Sequence, residues 1–300
     1  MISKHKHKGL IWIDVESPSK DEVTLLIDQY GLEPTMMDEV LTPTLRDKID
    51  VFKNVLYLVL HFPKSQSTGY ESREHEIDFI LGKKFMITVH YGPINPLYDF
   101  QKLLESNSML KVNETKHAGF LFYYLIHEFY RTSTEKIIDI GNTLKMIEKK
   151  IFDGKEGEMV QILSNVNRKL IDFKQATSLH SDILNTLETS GTKFFGSDFT
   201  HYLTAISSEY KRAQNILENQ KGILNDLRQT NDSLLSMKTG HAMKTLTMMS
   251  FVIFPLTLIA GIFGMNSQHM PIIGSRYDFW IILTIMFAAG MIMYKFFKHK

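Results

Sequence analysis

Cysteine is missing from all 300 residues. Its absence excludes disulfides, thiolate zinc sites and cysteine nucleophiles, and fits a reducing or thiol-indifferent location. A charge excess is missing too. Lys+Arg number 34 and Asp+Glu 33, for a formal net charge of +1. That balance gives no electrostatic reason to expect a nucleic-acid partner. Proline is absent from the whole interval between Pro96 and Pro255, so nothing there forbids long helices. The most informative absence is local: the stretch Thr245–Phe263 contains no charged side chain.

An apolar run of about 18 residues or more reads as a membrane span. At helical rise this one covers about 28 Å, close to the roughly 30 Å hydrocarbon core. It stops at Gly264-Met265-Asn266, and a second apolar run, Phe279–Tyr294, follows a short polar stretch. Lys238 and Lys244 precede the first run, and Lys295, Lys298 and Lys300 follow the second. Between the runs the formal charges are Arg276 and Asp278. The positive-inside rule then puts both termini in the cytoplasm. The N-terminal MISKHKHKGLIWIDVE is basic but has no apolar h-region, so no signal peptide is expected. The expected location is the cell (inner or plasma) membrane, crossed twice.

The preceding chain changes character once. Up to about residue 100 it reads as mixed α/β. Leu10–Val15, Val55–His61, Glu76–Leu81 and Phe85–His90 look like strands, with Gly82-Lys83-Lys84 as a hairpin turn. Ser19 with Glu22 has capping-box spacing for a helix that Gly31 ends, and Thr35–Leu41 reads as a second short helix. His5 and His7, set among lysines, read as a solvated tail. From about Pro96 helical periodicity takes over, with helices expected near 96–107, 115–152, 156–190 and 197–263, and Gly154, Gly157, Gly191 and Gly196 as punctuation. In the last of them Leu203, Ile206, Tyr210, Ala213, Leu217, Leu224, Leu227 and Leu234 recur at three- and four-residue steps, with Gln220 and Asn231 in the same row. Such a seam packs like a coiled coil. The organisation that follows is an α/β domain (1–100), a helical stalk (101–242), a first span (243–264), an outer loop (265–278), a second span (279–297) and a short tail (298–300).

Two helices cannot enclose a water-filled path, so transport of anything polar requires several copies around an axis. The first span has a face for it: Met243, Thr247, Ser250, Phe254, Thr257 and Gly261, mixing hydroxyls with small or flexible side chains. The opposite face carries Leu246, Met249, Ile253, Leu256 and Ile259. Tight helix–helix contact through small residues explains the same stripe without a pore. Pro255 removes a backbone hydrogen bond and allows a bend.

Gly264-Met265-Asn266, closing the first of two C-terminal spans, resembles the signature of the CorA family of magnesium transporters. The flanking TLIAGIFGMN, Met270-Pro271 and the stretches WIDVESPSKDEV, MMDEVL, VLYLVLHFP and EIDFILGKKFMITVHYGP resemble it too. The likeness covers nearly the whole chain. It implies a funnel-shaped homopentamer with the first span lining the pore, an α/β cytoplasmic domain and a long α-helical stalk. It implies Gly264, Met265 and Asn266 as the ion-selective mouth, and hydrophobic constrictions at Met243, Leu246 and Phe254. It also implies a basic cluster at Lys295, Lys298 and Lys300, which interfacial anchoring explains equally well. Asp38 and Glu39 would belong to a regulatory Mg2+ site between protomers. Two positions depart from the pattern: Phe263 stands where the family often has tyrosine, and Ile272 where it often has an acidic residue. A third departure is on the stalk, where an aspartate is replaced near Ala205. Glu209, Asp226 and Asp232 are candidate substitutes.

The mouth also has a physical rationale. Magnesium holds six waters tightly in octahedral order. The span has no carboxylate cage to strip them, whereas amide and carbonyl oxygens at a helix C-terminus can bind the ion through its waters. The expected function is a channel-like transporter, chiefly for Mg2+ with Co2+ and Ni2+ as further candidates. Influx would be passive, driven by the membrane potential and gated by internal Mg2+. No P-loop, nucleophile elbow or paired catalytic carboxylates are visible, so neither an enzyme nor an organic cofactor is expected. Two alternatives stay open: a zinc or other transition-metal transporter of this fold, which lone His269 does little to support, and a non-conducting membrane-tethered coiled-coil sensor.

Overall fold

The computed structural model describes residues 2–44, 46–64, 74–105, 117–265 and 276–298. It consists of two compact units, 1–228 and 229–300. The strands are β1 (Ile2–His7), β2 (Leu10–Glu16), β3 (Lys48–Val51), β4 (Leu56–Pro63), β5 (Glu74–Leu81) and β6 (Phe85–His90). The helices are α1 (Lys20–Tyr30), α2 (Met36–Leu41), α3 (Asn95–Glu105), α4 (Gly119–Phe152), α5 (Glu156–Ala176), α6 (His180–Phe195), α7 (Thr200–Phe263) and α8 (Asp278–Lys298).

In the first unit the strands form one sheet in the order β1-β2-β6-β5-β4-β3. Only the β2–β6 pair is parallel. Strand side chains alternate between faces, and here both faces are buried. Leu10, Trp12, Leu58 and Phe79 point into a core shared with α3, α4, α6 and the start of α7. Ile13, Val15, Tyr57 and Val59 point into a second core under α1 and α2. The result is a sheet between two helical layers. The expected capping box at Ser19 and Glu22 forms, and Gly31 takes the left-handed conformation that ends α1.

The chain departs from its sequence pattern in three places. His5 and His7 do not lie in a solvated tail. They sit on β1, which pairs antiparallel with β2, and the His5 ring lies 5.0 Å from that of Trp12. Lys4 and Lys6 are exposed on this edge strand, where charge discourages sheet-to-sheet association. The strand β3 was also not anticipated, because a four-residue piece carries almost no periodic signal.

The third departure is the helix expected over 156–190, which is two helices, α5 and α6. The break is held by tertiary bonds. Thr177 Oγ1 donates to the Phe173 carbonyl at 2.8 Å and accepts from Gln214 Nε2 at 2.6 Å. Tyr210 donates to the Thr177 carbonyl at 3.2 Å. Gly191 does not punctuate anything: it is buried inside α6, where a Cβ would come within 2.9 Å of Leu203.

A buried polar network ties the sheet to α6. The Asp47 carboxylate accepts from the backbone N–H of His61 and bonds its Nδ1, both at 2.7 Å. On the other side His61 Nε2 lies 3.5 Å from Glu76. Glu76 also accepts from the Thr44 N–H. Burial works to lower the His61 pKa, but its two carboxylate partners outweigh that and raise it to about 10. Fully buried His180 reaches Tyr130 at 2.9 Å and lies 3.7 Å from Asp47. Burial lowers its pKa to about 4, so it stays neutral at neutral pH while His61 is charged.

The apolar members of the α7 seam from Leu203 through Leu227 are buried. Its polar member Gln220 packs on α4, where a Cβ on Gly141 would come within 2.8 Å of the Gln220 amide. Both α7 and α8 contain windows long and apolar enough to cross a membrane.

Candidate functional site

Every pore residue named from the sequence up to Gly261 lies on α7. In a single chain Met243, Leu246 and Phe254 are exposed, Phe254 to 71%. Thr247, Thr257 and Gly261 are exposed and Ser250 is half-buried. The half-buried positions Met248, Val252, Leu256, Ile259 and Phe263 form a different row. Leu256 faces α8, 3.7 Å from where a Gly290 Cβ would sit. At about 100° per residue this row lies roughly opposite the Met243–Gly261 stripe. So α8 covers one side of α7 and leaves the hydroxyl-bearing side open. Of the residues assigned to the face opposite the stripe, Leu256 and Ile259 are half-buried, while Leu246, Met249 and Ile253 are exposed.

The open face is chemically polarised. Ser250 Oγ donates to the Leu246 carbonyl at 3.0 Å, and Thr257 Oγ1 to the Ile253 carbonyl at 2.9 Å. These two hydroxyls spend their protons inside the helix. What remains to point outward is oxygen lone pairs, which suit a cation or its waters. Pro255 sits inside α7 without ending it.

The helix closes tightly. The Gly264 N–H reaches the Ala260 carbonyl at 2.9 Å, and Met265 reaches Ile262 at 3.3 Å. A Cβ on Gly264 would sit 3.0 Å from the Ala260 oxygen, closer than such contacts normally run. Glycine thus keeps the last turn's carbonyls uncrowded, at the negative end of the helix dipole. Asn266, His269, Met270, Pro271, Ile272 and Lys300 lie outside the described residues. Lys295 is exposed on α8, and α8 ends at Lys298.

Asp38 and Glu39 occupy the first turn of α2. Asp38 is exposed. Glu39 is 2.5 Å from Lys48 Nζ, which also pairs with Asp50 at 3.1 Å. Partial burial works to lower the Lys48 pKa, but the two carboxylates raise it above its usual value. Lys48 was not anticipated, since nothing in KIDV signals a partner for α2. Among the candidate substitutes for the stalk aspartate, Glu209 bonds His127, and Asp226 and Asp232 are exposed. Among the described residues no group of three or more His, Asp and Glu gathers to hold a metal within one chain.

A family model described as CorA-like Mg2+ transporter protein matches residues 7–299. A cobalt/magnesium transport protein CorA from Thermotoga maritima is 24% identical, with 96% of this chain and 82% of the relative covered. A putative metal ion transporter, YfjQ, from Bacillus subtilis is 25% identical, with 96% of this chain and 88% of the relative covered. The solved structure of the CorA magnesium transporter from Methanocaldococcus jannaschii superposes with a TM-score of 0.83 at 19% identity, covering 98% of this chain and 92% of that one. These likenesses run the length of the α/β domain, the long helix and both apolar helices. The chain therefore belongs to the CorA-like Mg2+ transporter family, a family of membrane transport proteins and not of enzymes.

Proposed function

We propose that this chain assembles as a homopentamer in the cell membrane, with both termini cytoplasmic, and conducts Mg2+ passively inward. The observation that carries the reading is the α7 stripe Met243, Thr247, Ser250, Phe254, Thr257 and Gly261. It is uncharged, it lies opposite the α8 side, and it presents acceptor oxygens. A ring of such helices gives a path that holds water without fixing a bare ion. Gly264, Met265 and Asn266 form the outer mouth, where amide and carbonyl oxygens bind the hydrated cation. Met243 and Phe254 on the stripe, with Leu246 flanking it at about 60°, form apolar rings that close by dewetting. A membrane potential of about 100 mV supplies roughly 4.6 kcal/mol for a divalent ion, and no coupled energy source is needed.

Internal Mg2+ at Asp38 and Glu39 closes the path by clamping neighbouring protomers. Among the described residues one chain gathers no complete donor set there, and a neighbouring protomer supplies the rest. Asp38 is the stronger ligand, because Glu39 already pairs with Lys48.

The test is Mg2+ uptake into proteoliposomes by wild type and Asn266→Ala, with Co2+, Ni2+ and Zn2+ run in parallel. The variant should assemble normally and conduct no Mg2+. Undiminished Mg2+ flux through it would remove Asn266 from the mouth, and a preference for Zn2+ would reassign the cargo.

A further inference from the structure

Lys48, the partner of Glu39, stands at one end of a cross-strand row. On β3 it lies opposite Val59 of β4, and Val59 lies opposite Asp78 of β5. Directly opposite residues share one face of a sheet, here the face under α1 and α2. Asp78 is fully buried. Its Oδ2 accepts from the Tyr57 hydroxyl at 2.9 Å. Among the described residues its Oδ1 has no hydrogen-bond partner, and a buried oxygen left so is costly. The Lys48 ammonium lies 4.8 Å from the centre of the same Tyr57 ring.

We propose that Asp78 is a second seat for the Lys48 ammonium, taken up when Mg2+ claims Glu39, and that this seat sets how tightly α2 holds the ion. The proposal rests on reading Asp38 and Glu39 as the regulatory site.

Lys48 is bonded to Glu39 at 2.5 Å and to Asp50 at 3.1 Å. A divalent ion on Glu39 occupies its oxygens and repels the ammonium. An ammonium has three N–H donors; Asp50 keeps one and the one given to Glu39 is released. Asp78 lies two strands away on the same face, about 10 Å between backbones. The long lysine stem and the aspartate arm reach towards each other across that gap. The Tyr57 ring gives the cation a favourable surface to cross, and its hydroxyl already ends at Asp78. Burial, with Glu76 close by, holds the Asp78 pKa well above the usual carboxylate range, and the Lys48 charge works against that rise. Arrival of the ammonium gives the orphaned oxygen a donor and the displaced charge an acceptor in one step.

The test is calorimetric titration of Mg2+ into the full-length protein in detergent. The α2 site is the part of the binding heat that Asp38→Ala removes. Asp78→Asn keeps an acceptor for Tyr57 but takes the charge from the seat, and should weaken Mg2+ at that site about tenfold. In the Lys48→Ala background the same change should alter the affinity less than twofold, because no ammonium needs a seat. Melting temperatures verify that each variant folds, and Asp78→Ser replaces Asp78→Asn if that variant does not. An unchanged affinity in Asp78→Asn overturns the seat, as does an equal loss with and without Lys48, which would make Asp78 merely structural. Binding heat that Asp38→Ala leaves intact would instead remove the regulatory site, and the seat with it.

Discussion

Replacing His61 by Ala removes the cation that the buried carboxylates of Asp47 and Glu76 share. The Asp47 and Glu76 side chains are 4% and 6% exposed, so water cannot take over the role of the imidazolium. Deleting one member of a buried ion pair costs about 3–5 kcal/mol. At about 2–4 °C per kcal/mol for a chain of this size, the melting temperature should drop by roughly 10 °C at neutral pH.

The pH dependence makes the test specific. The His61 value is 6.5 in the free chain and about 10 in the fold. A raised folded value means the stabilisation is complete below pH 6.5 and is lost as pH climbs through about 10. Across that window this one site withdraws about 1.4 kcal/mol per pH unit from the wild type. The variant has no such site, so the gap between the two should narrow steadily from neutral to alkaline pH. Adding Asp47→Asn to His61→Ala should restore part of the loss by removing an unpaired charge. The assay is thermal unfolding of the full chain in detergent at fixed Mg2+. A drop of less than about 2 °C at neutral pH, or a gap that stays constant with pH, refutes the ion-pair account.

Two further outcomes follow from the pore and from α2. Gly264→Ala pushes a methyl against the Ala260 carbonyl; Mg2+ flux should fall severalfold with little change in melting temperature, and normal flux would show that the last turn tolerates crowding. Asp38→Ala should raise the internal Mg2+ needed to stop flux, whereas Lys48→Ala frees Glu39 from its ion pair and should lower it. Inhibition curves that do not move, measured in vesicles with buffered internal Mg2+, would take α2 out of regulation.

Sequence periodicity reads well where one helix face or one strand face dominates. The long α7 was visible because its seam repeats over many turns and proline is absent until Pro255. The strands β2, β4, β5 and β6 were visible for a similar reason, as largely apolar runs buried on both faces. β1 was not, because after Ile2 its SKHKH run is polar and becomes a strand only by pairing with β2. The α5–α6 break at Thr177 depends on Tyr210 and Gln214, more than thirty residues away.

The candidate site divides the same way. An uncharged run long enough to span a bilayer, a glycine at its end and hydroxyls along one stripe are local facts, because composition and a fixed helical repeat suffice to state them. Which side of that helix α8 covers and which lysine neutralises Glu39 were decided only on folding. Those outcomes depend on contacts between separate elements, and no pattern within one element encodes its partner. His61 shows the limit most clearly: its charge at neutral pH exists because Asp47 and Glu76 meet it inside the fold.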